Sequence, residues 1–180
     1  MDKTLTFILG GARSGKSSFA QKLALERGGD DVLFVATAQA LDDEMRSRIE
    51  AHRRDRPAVW RTLEASRHTG EAIARAESST IVLVDCLTLL VSNVVLTLPE
   101  SASAVEAEAA ALAQVDDLIA AYRRGTASWI VISNEVGLGL VPPYPMGRVY
   151  RDALGRANQS LAAEADEVLF MVAGIPLKVK

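Results

Sequence analysis

Near the start of the chain, Gly10-Gly11-Ala12-Arg13-Ser14-Gly15-Lys16-Ser17 matches the pattern G-x-x-x-x-G-K-[ST]. The glycines permit backbone conformations that turn successive N–H groups inward, and such a nest binds anions. A helix beginning at the end of the loop presents its N-terminal N–H groups and positive dipole end to the same anion. Lys16 supplies a point charge suited to the β- and γ-phosphates of a nucleoside triphosphate, and the Ser17 hydroxyl suits Mg2+. Arg13 is a further cation that the pattern does not require. An apolar run, Leu5–Leu9, precedes the loop and a helical stretch, Ser17–Arg27, follows it. That strand–loop–helix setting is the one a phosphate-binding loop needs.

Magnesium at such a loop takes a second acidic group from the end of a later strand, and Asp85, closing "TIVLVD", is the candidate. Glu135 follows "WIVIS" and Asn134 at the end of another apolar run, where ligands of open α/β sheets bind. Its position alone assigns it no role. Cys86, the single cysteine, lies in an apolar stretch and reads as a small packing residue.

The other stretch with chemistry in it is Leu41–Pro57, "LDDEMRSRIEAHRRDRP". Met45, Ile49 and His52 fall at i, i+4 and i+7, one face of a helix. Arg46, Arg48, Arg53 and Arg54 crowd its polar side, with Arg56 just beyond. On helical spacing alone, such a histidine is more often a packed core side chain than a catalyst. The chemistry that would set it apart is attack of a neutral imidazole on phosphorus, which forms a covalent phosphoramidate and splits one displacement into two. Neighbouring cations favour that chemistry by disfavouring the imidazolium and screening phosphate charge. His68, in "SRHTG", reads as a surface or capping residue.

The elements that must position these residues follow from alternating strand-length and helix-length patterns. Strands are predicted at Leu5–Leu9, Val32–Thr37, Ile81–Val84, Trp129–Ser133, Val168–Val172 and Ile175–Lys180. Helices are predicted at Ser17–Arg27, Leu41–Arg54, His68–Ala76, Ser103–Arg124 and Arg148–Ala165. Gly137–Gly147, rich in glycine and proline, is a loop. The strands are continuously apolar rather than alternating, which indicates a mostly parallel sheet covered by helices on both faces. With no repeat, low-complexity tract or linker, 180 residues make one α/β domain.

Composition excludes several classes. A net charge of −3 provides no global basic field for nucleic acid or anionic membrane. The apolar span Thr80–Leu98 contains Asp85, Ser92 and Asn93, which argue for a buried strand and helix start rather than a membrane span. The N-terminal apolar run is too short for a signal peptide, and one cysteine suits a reducing cytoplasm. A guanine-reading Asn-Lys-x-Asp is absent, since Asn134-Glu135-Val136-Gly137 fails at two positions. A small-molecule kinase or related transferase remains, with a non-catalytic nucleotide-binding subunit as the rival.

"GGARSGKS", "DDEM..RI..HR..RP", "SNEVGLGLVP" and "GRANQSLAAEADEV", in this order across the whole chain, resemble the bifunctional adenosylcobinamide kinase/adenosylcobinamide-phosphate guanylyltransferase family. The resemblance implies a P-loop NTPase of RecA-like, mostly parallel sheet architecture and two reactions. One phosphorylates adenosylcobinamide with ATP or GTP; the other transfers GMP from GTP to the resulting phosphate through a guanylylated histidine. That histidine would be His52, and since Ala51 precedes it, it is the only one available where some relatives have two. Gly10, Gly11, Ala12, Arg13, Ser14, Gly15, Lys16 and Ser17 would hold the nucleotide phosphates. Ala36, Thr37, Ala38, Glu64 and Asp85 would contact nucleotide, and Arg53, Arg54, Asp55 and Arg56 would flank the guanylylated histidine. His52, Lys16 and Asp85 would be catalytic, and Ser17 and Asp85 the Mg2+ ligands. The partners implied are the corrinoid substrate and copies of the same chain, as a homo-oligomer such as a trimer. Pro142–Gly147 is more proline-rich than the family pattern.

Overall fold

A computed structural model describes residues 2–54, 56–99 and 101–180, with Arg48 described by its backbone only. The elements in chain order are β1 (Leu5–Gly10), α1 (Lys16–Gly28), β2 (Val32–Ala36), α2 (Asp43–Arg54), β3 (Arg61–Glu64), α3 (Thr69–Arg75) and β4 (Ile81–Asp85). They continue with α4 (Leu87–Val95), α5 (Ala104–Arg124), β5 (Ser128–Asn134), α6 (Pro145–Glu164), β6 (Glu167–Val172) and β7 (Ile175–Lys178). The seven strands form one sheet in the order β3-β2-β4-β5-β1-β6-β7. All neighbours pair in parallel except β6 and β7.

The continuous apolar runs are explained by two cores, one on each face. Phe7, Val35, Val84, Val131 and Val168 point toward one helical layer, where they pack with Leu90, Val115, Leu118, Leu154 and Leu161. Their sequence neighbours Ile8, Phe34, Leu83, Ile132 and Leu169 point the other way, against Ala20 and Ala24 of α1 and against Trp60. Alternate residues of a strand face opposite sides, so a strand buried on both must be apolar at every position. On α1 only small residues, Ala20 and Ala24, are buried with Lys16, which lets the helix lie close to the strands.

The predicted elements recur with shifted ends. Helix α6 begins at Pro145 rather than Arg148, because proline's fixed φ suits a first helical turn. Strand β3 was not predicted: it is a short edge strand of alternating exposure, and "RTLE" carries no continuous apolar run. Helix α5 starts with a capping box in which Ser103 Oγ accepts from the Glu106 N–H at 3.2 Å while the Glu106 carboxylate accepts from the Ser103 N–H at 2.7 Å. His68 does stand at the N-terminal cap of α3, yet without a side-chain cap, and its backbone N–H donates to Gln114 Oε1 at 3.1 Å.

Candidate active site

The phosphate loop joins β1 to α1 at the C-terminal edge of the sheet, and neighbouring strands brace it. The Glu135 N–H donates to the Gly10 carbonyl at 3.1 Å and the Gly174 N–H, from the β6–β7 turn, donates to the Ser14 carbonyl at 2.9 Å. Two glycines are required by this geometry. A Cβ on Gly10 would lie 2.7 Å from the Met171 carbonyl oxygen, and Gly15 has φ 92°. Lys16 is folded back into the loop, its Nζ donating to the Gly11 carbonyl at 2.6 Å. Burial pushes the Lys16 ammonium below its ordinary value, and Cys86 and Asp85 oppose that shift. Ser14 and Lys16 are buried, while Ala12 and Arg13 are exposed at the loop's tip.

The C-terminal ends of β2, β4 and β5 complete the site. A cavity of about 330 Å³ is bounded by Lys16, Ser17, Ala36, Ala38, Asp85 and Asn134 together with Met45, Ile49, His52 and Arg56. The i, i+4, i+7 face of α2 is therefore turned to the P-loop rather than to the core. His52 is exposed and also borders a second cavity, of about 720 Å³, on the outer side of the loop with Ser14, Ser18, Glu44 and Ser47. Burial pushes the Asp85 carboxyl up, and His52, a hydrogen bond from Ser17, Arg56 and Lys16 all pull it back toward the anion. Burial and the Asp85 charge hold the neighbouring Cys86 thiol up at about 12, so it is a neutral wall of the cavity.

The expected site residues separate into groups. Thr37 is fully buried and does not line the cavity. Its hydroxyl donates to the Cys86 carbonyl and accepts from the Cys86 N–H, both at 2.8 Å. Its backbone N–H donates to the Asp85 carbonyl at 3.1 Å, so Thr37 ties the end of β2 to the acidic end of β4. Arg56 turns inward, its guanidinium 3.6 Å from the centre of the Phe34 ring, with Nη1 donating to Thr62 Oγ1 at 3.0 Å and Nε to the His52 carbonyl at 3.4 Å. Arg53 instead ion-pairs with Glu64, and both border a shallow surface cavity with Arg54, away from the P-loop. Arg46 pairs with Asp43 at 3.7 Å. Asp55 and the Arg48 side chain lie outside the described residues. Glu135 folds onto its own loop, its carboxylate accepting from the Gly137 N–H at 2.6 Å.

A family model described as cobinamide kinase / cobinamide phosphate guanyltransferase matches residues 6–179. The chain belongs to this family. It is 42% identical over 182 residues to the bifunctional adenosylcobalamin biosynthesis protein CobU of Escherichia coli strain K12, covering 98% of this chain and 99% of the relative. The CobU of Salmonella typhimurium strain LT2 is similar at the same identity and coverage. The bifunctional adenosylcobalamin biosynthesis protein CobP of Pseudomonas aeruginosa is 42% identical over 174 residues, covering 96% of this chain and 95% of the relative. Among solved structures, the ATPase domain of another protein superposes with a TM-score of 0.53 at 15% identity, over 93% of this chain and 69% of that one. That likeness shows a P-loop ATPase architecture, in keeping with the RecA-like sheet expected for the family.

The Ser17 hydroxyl and the Asp85 carboxylate border the same cavity, and such oxygen donors fit Mg2+, which usually binds one or two carboxylates and leaves the rest to substrate phosphates and water. No group of three or more potential metal ligands occurs among the described residues. Sequence reasoning missed Asn134 and Phe34 as parts of the site. Phe34 looks like any other strand residue, and Asn134 carried meaning only as part of a guanine motif that failed. No helix among the described residues is long and apolar enough to cross a membrane.

Proposed function

We propose that one nucleotide-binding domain spanning residues 1–180 carries both reactions for which the family is named. The observation that carries the proposal is that His52 shares a cavity with Lys16, Ser17 and Asp85. A triphosphate in the P-loop is then open at two phosphorus atoms. In the kinase reaction, the hydroxyl of adenosylcobinamide attacks the γ-phosphorus of ATP or GTP, the bond to the β-phosphate oxygen breaks, and nucleoside diphosphate leaves. In the transfer reaction an imidazole nitrogen of His52 attacks the α-phosphorus of GTP and pyrophosphate leaves. The phosphate of adenosylcobinamide phosphate then takes GMP from the histidine as the P–N bond breaks, giving adenosylcobinamide-GDP.

Gly10–Ser17 hold and orient the phosphates, and Lys16 stabilises negative charge as it develops on them. Ser17 and Asp85 would hold Mg2+, which when bound neutralises phosphate charge. Arg56, fixed on Phe34 beneath the end of α2, holds the His52 segment over the cavity. Ala36 and Ala38 leave room for nucleotide at the end of β2, while Thr37 acts through the position of Asp85. Arg53, Arg54 and Glu64 form the outer flank of the histidine segment. The chain works in the cytoplasm, where nucleoside triphosphates are held, and as a homo-oligomer, a trimer being the state implied by the resemblance. The exposed apolar side chains of Leu138, Leu140 and Tyr144 supply a surface suited to assembly.

Incubation with GTP labelled at the α- or γ-phosphate tests the mechanism. Acid-labile protein label is expected from the α-position only, and none in His52→Ala. Absence of α-label under conditions where GTP binds would overturn the histidine route. Phosphorylation of the corrinoid without any α-label would leave a kinase alone, and tight binding with no product would leave a regulatory subunit.

A further inference from the structure

One cation of the phosphate loop has no specific part in the reactions above. Arg13 is not required by the P-loop pattern, yet it stands exposed at the loop's tip. Residues Gly11 to Ser14 form a turn in which the Ser14 N–H donates to the Gly11 carbonyl at 3.3 Å, and Arg13 is the third residue of that turn. Its φ is 59°, a left-handed conformation whose usual occupants are glycine and asparagine. An arginine is therefore held where the backbone alone would favour a smaller side chain.

Arg13 also stands between two spaces. With Lys16, Ser17 and His52 it borders both the cavity that reaches Asp85 and the outer cavity on the far side of the loop. The other cations around His52 are engaged. Lys16 Nζ donates to the Gly11 carbonyl at 2.6 Å, and Arg56 lies over the Phe34 ring. Arg53 pairs with Glu64, and Arg46 with Asp43. Arg13 makes no hydrogen bond or ion pair among the described residues. A guanidinium with all its donors free, at the rim of an anion nest, suits a phosphate that it can meet with two parallel hydrogen bonds.

Which phosphate it suits follows from the stereochemistry of a double displacement. Each displacement at phosphorus sets the entering and leaving atoms roughly in line. In the first, His52 enters the α-phosphorus opposite pyrophosphate, which the P-loop holds. In the second, the acceptor must enter opposite the P–N bond, from the side that pyrophosphate has left. A phosphate oxygen of the acceptor forms the new O–P bond, the P–N bond breaks, and its electron pair returns to the imidazole nitrogen. The acceptor phosphate thus reaches the α-phosphorus across the P-loop. Arg13 is the unengaged cation on that path, open to the outer cavity.

We propose that Arg13 binds the phosphomonoester group of the acceptor during GMP transfer. This deepens the proposed function and rests on its histidine route. The acceptor of the kinase reaction carries a hydroxyl at the same place and offers Arg13 no anion. Arg13 would therefore tell the phosphorylated acceptor from the unphosphorylated one within a single site, and would draw it in once pyrophosphate has gone.

The test isolates the second displacement. Protein guanylylated with α-labelled GTP and freed of pyrophosphate is mixed with adenosylcobinamide phosphate, and loss of label is followed against acceptor concentration. Arg13→Asn accepts the left-handed backbone while removing the charge. Its half-saturating acceptor concentration is expected to rise about tenfold or more, the scale of hydrogen bonds to a charged group. That rise should clearly exceed any change in the KM for adenosylcobinamide in the kinase reaction or in the rate of α-labelling. Arg13→Lys keeps the charge but not the planar fork, and should recover part of the loss. Equal losses with both acceptors, or in the labelling step, would assign Arg13 to the nucleotide and overturn the proposal. No loss in either would overturn it as well, leaving a solvated cation. Absence of α-label in the wild type would overturn the histidine route and this proposal with it, a result distinct from a labelled protein that discharges normally without Arg13.

Discussion

The guanidinium of Arg56 lies over the Phe34 ring, 3.6 Å from the ring centre, and its Nε donates to the His52 carbonyl at 3.4 Å. A side chain that follows α2 is thereby locked to the middle of β2, and the end of the helix that carries His52 is held over the cavity. Burial, followed by the nearby charge of Arg53, makes Arg56 a weaker base than an ordinary arginine, with Asp85 and Glu64 opposing the shift. Arg56 is thus a half-buried anchor, whereas Arg53 and Arg54 remain exposed.

Arg56→Lys should therefore slow guanylylation, since an ammonium cannot stack and donate at once. A loss of about tenfold in the rate of α-labelling is expected on the scale of a desolvated cation–π contact. The same substitution should leave nucleotide affinity nearly unchanged. An unchanged labelling rate would show that the stacking does not position His52.

Lys16→Ala should abolish both activities, because both reactions use the phosphates that the P-loop holds. Loss of one preorganised charge-stabilising group predicts a fall of about a hundredfold or more in each. Initial rates of corrinoid phosphorylation and of GMP transfer are the measurements. Retention of either would place the working nucleotide site elsewhere.

Thr37→Val is close to isosteric but removes the hydroxyl that serves both backbone groups of Cys86. An unsatisfied buried N–H costs roughly 1–3 kcal/mol, so the denaturant midpoint should fall without a change in slope. Thr37→Ser keeps the hydroxyl and should restore most of that loss. A midpoint left unchanged by Thr37→Val would show that the hydroxyl contributes nothing there.

The capping box of α5 makes a pH-dependent contribution. The Ser103 N–H and hydroxyl hold the Glu106 carboxyl below its ordinary value of 4.5. A depressed carboxyl pKa means that this stabilisation is fully present above 4.5 and is lost as pH falls through the folded-state value. Ser103→Ala should accordingly be less stable than wild type near neutrality, and the gap should narrow in acid. Denaturation curves at several pH values would reveal a gap independent of pH if the box contributes nothing through Glu106.

The chain order of elements, the P-loop and the one-face placement of Met45, Ile49 and His52 were all legible in the sequence. Each rests on local rules, namely backbone freedom at glycine, apolar runs bounded by turn residues, and helical periodicity. Whether that helical face would meet the core or the cavity was not legible, because periodicity reports a face and not what it faces. Strand β3 escaped for a related reason, since an edge strand half-exposed to water carries little apolar signal.

Tertiary structure decided what depends on which chain ends meet. Thr37, expected among the nucleotide contacts, is buried against Cys86 because β2 and β4 are neighbours in the sheet. Arg53 and Arg56 are close in sequence, yet one pairs with Glu64 on the surface and the other lies over Phe34 at the cavity wall. Asn134 joined the cavity only because strand order set β5 between the P-loop and Asp85. By itself the sequence determined which groups could do chemistry, because residue type and local spacing are properties of the chain. Only the sheet, through long-range pairing and the burial it imposes, decided which of those groups share a cavity.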